Sequence, residues 1–176
     1  MCYASEDVMA ATFNTDLINE VGRCIGEDCL AMGYSGLYGP GINMHRTAYS
    51  GRNFEYYSED PFVAGTICAA EVQGIQSKGV YVYLKHVALN DSETSRRGVN
   101  TWLNEQTARE LYLEVADKAI TDGEAWSVMT GFNRWGATWC GANANLLTGF
   151  LRSIPRDYEE AAMIDGCGPF RILTSI

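Results

Sequence analysis

The spacing of apolar residues predicts helices in four stretches of the chain. In residues 7–31, apolar side chains recur every three or four positions, with a possible break at Asn14. A second helix is expected to begin after Asp60, a favourable N-cap that precedes a proline, and to end at Gly79. The other two helices are expected over residues 104–119 and, more weakly, over residues 143–152.

Short apolar runs between these helices predict strands. They end at Leu37 and Tyr38 or cover residues 80–84, 125–130 and 161–164. Strands that alternate with single helices indicate βαβ units and therefore an α/β fold with a parallel sheet. Such a sheet is either doubly wound or an arc of a (β/α) barrel, and periodicity alone does not choose between them.

The loops differ at the two ends of the predicted strands. Long loops rich in charged, Asn and aromatic residues follow the strands, whereas the connections from helices into strands are short and contain glycine. This asymmetry places chemistry at the carboxyl ends of the strands. The chain contains neither GxGxxG after a strand nor GxxxxGK[ST], so a nucleotide site is not supported.

Composition narrows the class of protein further. The chain has 176 residues, 47% of them apolar, which is enough for one domain with a real core. A net charge of -9 argues against nucleic acid and anionic membranes as partners. There is no apolar run of transmembrane length and no signal peptide at the start, so a soluble protein is expected.

The six cysteines sit at scattered positions without a CxxC pair, and only two histidines are present. We expect buried free thiols rather than a disulfide framework, and neither a metal site nor a cofactor.

Residue types suited to sugar binding cluster after the predicted strands. The loop GRNFEYYSEDP at residues 51–61 combines an arginine and three carboxylates with three aromatic rings. Rings cover the apolar faces of pyranoses, and the charged groups bind their hydroxyls. Lys85 and His86 end the second strand and Asp165 ends the fourth, so these groups are expected to share one rim. Taken singly, each also has an ordinary explanation as a surface loop, an incidental pair or a helix cap.

Six segments together resemble successive motifs of glycoside hydrolase family 3. In order along residues 9–152 they are AATFN at 10–14, GPGINMHR at 39–46, GRNFEYYSEDP at 51–61, VQGIQSKG at 72–79, KH at 85–86 and MTGFN at 129–133. The resemblance implies a (β/α)8 barrel of the TIM type. The predicted strands would supply about four of its βα units, as one partial barrel domain over residues 1–176.

The resemblance also implies roles for particular residues. Arg52, Lys85 and His86 would bind the hydroxyls of a terminal sugar, Glu55 would be a supporting carboxylate, and Arg96 would lie beside the site. Phe132 stands where the family usually has tyrosine, which removes a hydroxyl from one site contact. Asp165 falls close to the place of the family's nucleophile, although the preceding turn differs from the family pattern.

The activity implied by the resemblance is hydrolysis of β-glycosides with retention, through a covalent glycosyl-aspartate. Terminal non-reducing β-D-glucose is the first expectation and β-xyloside the second. The stretch KHVALN disfavours the N-acetylglucosaminidase branch of the family. A different class, a non-catalytic carbohydrate-binding barrel fragment, stays open because no glutamate is assigned as the acid. The expected partners are a β-linked glucoside or oligosaccharide, and either a second copy of the chain or the remaining domains of a longer enzyme.

Overall fold

The computed structural model describes residues 2–153, and the main sheet in this part of the chain is parallel. It contains β1 (Gly36–Leu37), β2 (Tyr81–Val87) and β4 (Ser127–Thr130) in the order β1-β2-β4. The central strand β2 has alternating buried positions, and Val82 and Leu84 are fully buried. Successive strands are added on one side, as in a barrel.

Helices follow or precede each strand. They are α1 (Glu6–Ala10), α2 (Thr15–Ala31), α3 (Pro61–Gln76), α4 (Glu105–Thr107), α5 (Glu114–Thr121) and α6 (Ala144–Ser153), with a π-helical segment, Ala108–Leu113, between α4 and α5. Side-chain caps start four of them, including the N-cap predicted at Asp60. Asn14, Asp60, Asn104 and Asn143 accept hydrogen bonds from backbone N–H groups at 3.0, 2.9, 2.8 and 3.1 Å.

Helix α3 is the central helix of the layer, because it packs against both α2 and α5 and against β2. Close approach of α2 and α3 depends on glycine. A Cβ at Gly22 would lie 2.5 Å from the carbonyl oxygen of Glu71. Three helices side by side on one layer of a parallel sheet are typical of a barrel wall, whereas a doubly wound sheet divides its helices between two faces.

The predicted helices and the first three strands are confirmed, with differences at their ends. Strand β2 runs to Val87, three residues beyond the predicted end, because the buried alternation continues through His86. The strand predicted over residues 161–164 lies outside the described residues. Cys29, Cys68 and Cys140 are buried free thiols as expected, but Cys2 and Cys24 are exposed, which corrects that expectation for these two.

A second small sheet was not predicted. It contains β3 (Asn100–Thr101), β5 (Arg134–Trp135) and β6 (Thr138–Trp139), with β5 in the middle. Strands of two residues show no period, so a sequence pattern has nothing to detect.

Candidate active site

Two segments distant in sequence meet at the carboxyl edge of the main sheet. Lys85 and His86 lie near the end of β2, and the loop after β1 runs beside them through a bridge between Gly41 and Lys85. The same loop then forms a 3-10 turn, Asn53–Glu55, which brings Arg52 and Glu55 to this edge. Arg52, Glu55, Lys85 and His86 therefore share one rim.

Glu55 binds two cations of the site, Arg52 and Lys85. Its carboxylate accepts a hydrogen bond from the Nε of Arg52 and forms an ion pair with the Lys85 Nζ at 2.9 Å. Burial alone would raise the pKa of the Glu55 carboxyl, but the hydrogen bonds from Arg52 and Lys85 outweigh it and hold that pKa below its usual value. Glu55 is therefore an anion that orients two donors.

His86 is buried and neutral. Its Nδ1 lies 3.1 Å from the Oδ1 of Asn43, and its Nε2 lies 3.2 Å from a terminal nitrogen of Arg52. Since the guanidinium can only donate, Nε2 is the acceptor and Nδ1 carries the proton. Burial, together with the positive charges of Arg52 and Lys85, lowers the pKa of His86 to about 4.

Asn43 fixes the orientation of the His86 ring through hydrogen bonds to its ring and its backbone. Its Oδ1 also accepts the backbone N–H of His86 at 2.9 Å, and its Nδ2 donates to the His86 carbonyl at 3.0 Å. These bonds leave the amide no freedom to flip, because donor and acceptor would both be mismatched. Asn43 thereby sets the protonated nitrogen of the ring.

Glu93 is a second carboxylate that binds site cations. It lies 3.5 Å from Arg52 and 2.9 Å from Arg96, and it accepts a hydrogen bond of 3.0 Å from Asn90. The guanidinium of Arg96 in turn lies 5.3 Å from the centre of the Phe132 ring. Arg96 and Phe132 are thus linked to the Arg52 cluster through Glu93.

Six of the predicted site residues form one connected group in the structure: Arg52, Glu55, Lys85, His86, Arg96 and Phe132. Glu93 connects Arg96 to the others, so the ion pairs join three cations to two carboxylates, Glu55 and Glu93. The predicted nucleophile, Asp165, lies outside the described residues.

A match to a model of a known protein family identifies the family of this chain. The family model described as "Glycosyl hydrolase family 3 N terminal domain" matches residues 3–154. The chain belongs to glycosyl hydrolase family 3. Its fold is accordingly of the TIM-barrel type, and residues 2–153 form part of that barrel.

Named relatives of this family 3 chain share its sequence over most of its length. A thermostable β-glucosidase B from Acetivibrio thermocellus is 38% identical over 152 residues, which are 86% of this chain and 20% of that protein. An exo-α-(1->6)-L-arabinopyranosidase from Bifidobacterium longum is 35% identical over 151 residues, with the same two coverages. The chain spans about a fifth of the length of these relatives.

A solved structure agrees with the family assignment. β-Glucosidase 3B from Thermotoga neapolitana in complex with glucose matches with a TM-score of 0.84 at 39% identity, over 86% of this chain and 21% of that one. The similarity supports the barrel and removes the doubly wound alternative.

Three polar residues of the site were missed or given no role in the sequence analysis. Asn43 lies in the segment GPGINMHR and Asn90 ends the stretch KHVALN, but neither was singled out, and Glu93 was given no role. All three act by binding other side chains. The available signal was an amide or carboxylate within a segment that also carries Arg or His.

No cluster of three metal-binding side chains occurs within residues 2–153. None of the helices in this part of the chain combines the length and the apolar character needed to cross a bilayer.

Proposed function

We propose that this chain supplies the terminal-sugar half of the active site of a retaining β-glucosidase that releases terminal non-reducing β-D-glucose. The observation that carries the proposal is the convergence of Arg52, Lys85 and His86 around Glu55 at one sheet edge. The relatives named as β-glucosidases support the same activity.

The site offers what a pyranose needs. Lys85 has three donor hydrogens and pairs with Glu55, while Arg52 presents a planar set of donors. The side chains of Arg52, Glu55 and Lys85 are 19%, 13% and 17% exposed to solvent, so a sugar can reach them. Rows of vicinal hydroxyls would be bound by these fixed donors and by the two carboxylates.

Asp165 is the proposed nucleophile. Three cations against two carboxylates leave a positive charge at the rim, which would favour the ionised form of an approaching aspartate. The carboxylate would attack the anomeric carbon and form a glycosyl ester while a second carboxyl protonates the departing oxygen. Water would then cleave the ester, so that the anomeric configuration is retained overall.

The main substrate alternatives differ in whether the sugar has a hydroxymethyl group at C6. A β-xyloside lacks the hydroxymethyl group of glucose, and the relative from Bifidobacterium longum is named for a pentopyranose as well. Glucose stays the first proposal because β-glucosidases are more numerous among the relatives named in the comparison and because the matching solved structure contains glucose. Parallel binding curves for glucose and xylose would rank the two.

Binding without turnover is the second candidate function. It is favoured by the pairing of Glu55 and Glu93 with cations, which leaves neither carboxylate suited to act as a general acid. In this case the chain would bind sugar through the same residues but would release no product.

The test is a glucose titration of the chain followed by backbone NMR. We expect saturable shifts at residues of the Arg52 cluster, and an affinity loss of about tenfold or more in Arg52→Lys, since lysine cannot reproduce the two-sided contact to Glu55 and His86. The matched control is Arg109→Lys, which changes an exposed ion pair with Glu105. Equal affinity in both variants would contradict the proposed site.

A further inference from the structure

Two consecutive arginines share one aromatic ring beside the candidate site. The guanidinium carbons of Arg96 and Arg97 lie 5.3 and 5.8 Å from the centre of the Phe132 ring. Both contacts are within the range of cation–π attraction. The phenyl ring has no oxygen that could accept a hydrogen bond, so it leaves the N–H groups of both guanidiniums available. We call Arg96, Arg97 and Phe132 the Arg–Phe cluster.

A turn from Ser95 to Gly98 fixes the backbone of both arginines, which are its two central residues. The carbonyl of Ser95 accepts a hydrogen bond from the N–H of Gly98 at 2.8 Å. Directly after the turn, the carbonyl of Val99 accepts the N–H of Arg134 at 3.0 Å, which joins this loop to β5. The backbone therefore brings the two guanidiniums together before any ligand binds, and a ligand does not have to organise them.

The positive charge of the Arg–Phe cluster is only partly neutralised. Glu93 pairs with Arg96 at 2.9 Å, and the same carboxylate also lies 3.5 Å from Arg52. Arg97 is exposed and forms no ion pair with any residue in the range 2–153. Two neighbouring guanidiniums with one shared carboxylate are a local excess of positive charge in a chain whose net charge is -9. An anionic group bound here would reduce the repulsion between them.

The Arg–Phe cluster is accessible and adjoins the proposed sugar site. Phe132 is 49% exposed, and the side chain of Arg96 is 33% exposed. Glu93 connects Arg96 to Arg52, which binds hydroxyls of the terminal sugar in the proposed function. A substituent that extends from this sugar toward Phe132 would therefore come close to both arginines.

We propose that the Arg–Phe cluster binds a carboxylate on the group attached to the terminal glucose, so that the chain favours β-glucosides with an acidic aglycone. The proposal rests on the proposed function and adds a preference for charge to it. A guanidinium presents two parallel N–H groups, which match the two oxygens of a carboxylate. A single carboxylate fits this place better than a long polyanion, because charges farther away than the Debye length of about 8 Å meet the acidic remainder of the chain.

The test compares two ligands that differ in charge, para-carboxyphenyl β-D-glucoside and its methyl ester. Each is titrated into the full chain at low salt, and backbone NMR gives the dissociation constant. We expect the wild-type chain to bind the acid about fivefold more tightly than the ester, as for a charge-assisted contact at an exposed site. This preference should fall as the salt concentration is raised, because exposed ion pairs are screened.

The variant that tests the cluster is Arg97→Gln. We expect the ratio of the two affinities to fall to about one, because the unpaired guanidinium is gone. Both ligands are measured on the same protein, so a general loss of stability does not change the ratio. Arg97→Lys should keep part of the preference, since lysine binds a carboxylate as a point charge. The matched control is Arg109→Gln, which removes an exposed arginine paired with Glu105 and should leave the ratio as in the wild type.

Each outcome has a defined meaning for the two proposals. Equal affinities for acid and ester in the wild-type chain, with glucose still bound, would overturn this proposal and leave the proposed function standing. A preference for the acid that persists in Arg97→Gln would also overturn it, because the attracting charge would lie elsewhere. A preference for glucose 6-phosphate over glucose, with none for the acid over the ester, would place the anion on the sugar and overturn it as well. If neither glucose nor either glucoside binds, both proposals fail.

Discussion

Asn43 determines which nitrogen of His86 carries the proton. The ring donates from Nδ1 to Asn43 and accepts at Nε2 from Arg52, so both nitrogens already have partners. Since the ring is buried and lies between two cations, the pKa of His86 is lowered to about 4 and the ring stays neutral near pH 7. We regard Asn43 as a positioning residue, because in the proposed function it would act on a sugar only through His86.

Asn43→Asp should therefore raise the pKa of His86. A carboxylate beside Nδ1 favours the imidazolium, so we expect its titration to move upward by more than about one pH unit. Histidine C–H signals measured by NMR against pH give the value, and His45, the other histidine of the chain, reports whether the effect is local. An unchanged His86 titration in the variant would show that Asn43 does not control the ring.

Sequence alone located most of the charged residues of the site but not Glu93 or the supporting amides. Arg52, Lys85 and His86 were found because a dense loop and a strand end carry recognisable motifs. Asn43 was missed because its role depends on a contact with His86 across 43 residues of sequence. Hydrogen-bond partners of this kind are fixed by the fold, and no local pattern encodes them.

At the scale of elements, the contact between α2 and α3 depends on two glycines. A Cβ at Gly74 would overlap the carbonyl of Asn19 and lie 2.9 Å from the backbone nitrogen of Arg23. Gly74→Ala should lower the free energy of unfolding by about 2 kcal/mol or more, although alanine is the better helix former. Urea denaturation measures the change.

Gly65→Ala in the same helix is the comparison. There the neighbour is the side chain of Lys118, which can shift, and we expect a clearly smaller loss of stability. Equal losses in the two variants would mean that the effect comes from α3 itself and not from its contact with α2.

Helix α3 also buries a carboxyl that faces Tyr57, Cys68 and Glu6 rather than a cation. Burial raises the pKa of Glu71 to about 7, and the 2.6 Å hydrogen bond from Tyr57 offsets only part of that rise. Since the folded pKa exceeds the unfolded one, the folded state binds more protons between about pH 4.5 and 7. The contribution of protonated Glu71 to the free energy of unfolding is fully present below that pH window and is lost as the pH rises through 7.

Glu71→Gln should remove this dependence. We expect the wild-type chain to lose on the order of 2 kcal/mol relative to the variant between about pH 5 and 8. Urea unfolding at several pH values, taken as the difference between the two proteins, cancels groups such as His86 that titrate in both. A pH-independent difference would contradict a buried, protonated Glu71.

Long elements were predictable and short ones were not. Helix α3 was placed by the Asp60 cap, a proline and a terminal glycine, and β2 by an apolar run, because each carries several concurrent signals. The small sheet depends on pairing between Asn100 and Arg134. Such pairing arises only when the loops after β2 and β4 lie together, so it follows from tertiary structure.

At the scale of the whole molecule, the described residues supply three parallel strands of a barrel type that requires eight. β1 and β4 are the outer strands of this part of the sheet, so each has one edge without a neighbouring strand among residues 2–153. A second copy of the chain and further parts of a longer enzyme are the two predicted partners for these edges. Sedimentation at several concentrations distinguishes them, because only self-association depends on the concentration of this chain.

The same reasoning predicts that the chain alone does not hydrolyse glycosides at an enzyme-like rate. A retaining mechanism needs two carboxyls roughly 5 Å apart, one of them protonated at neutral pH. Within residues 2–153, Glu55 is held ionised by Arg52 and Lys85, and Glu93 is paired with Arg52 and Arg96, so neither is suited to donate a proton. Loss of the general acid typically costs about 10²–10⁴-fold in rate.

Purified chain and an Asp165→Asn variant should both show only background release from an aryl β-glucoside. A turnover of several per second, within the usual enzyme range, that disappears in the variant would show that a glutamate of this chain does serve as the acid.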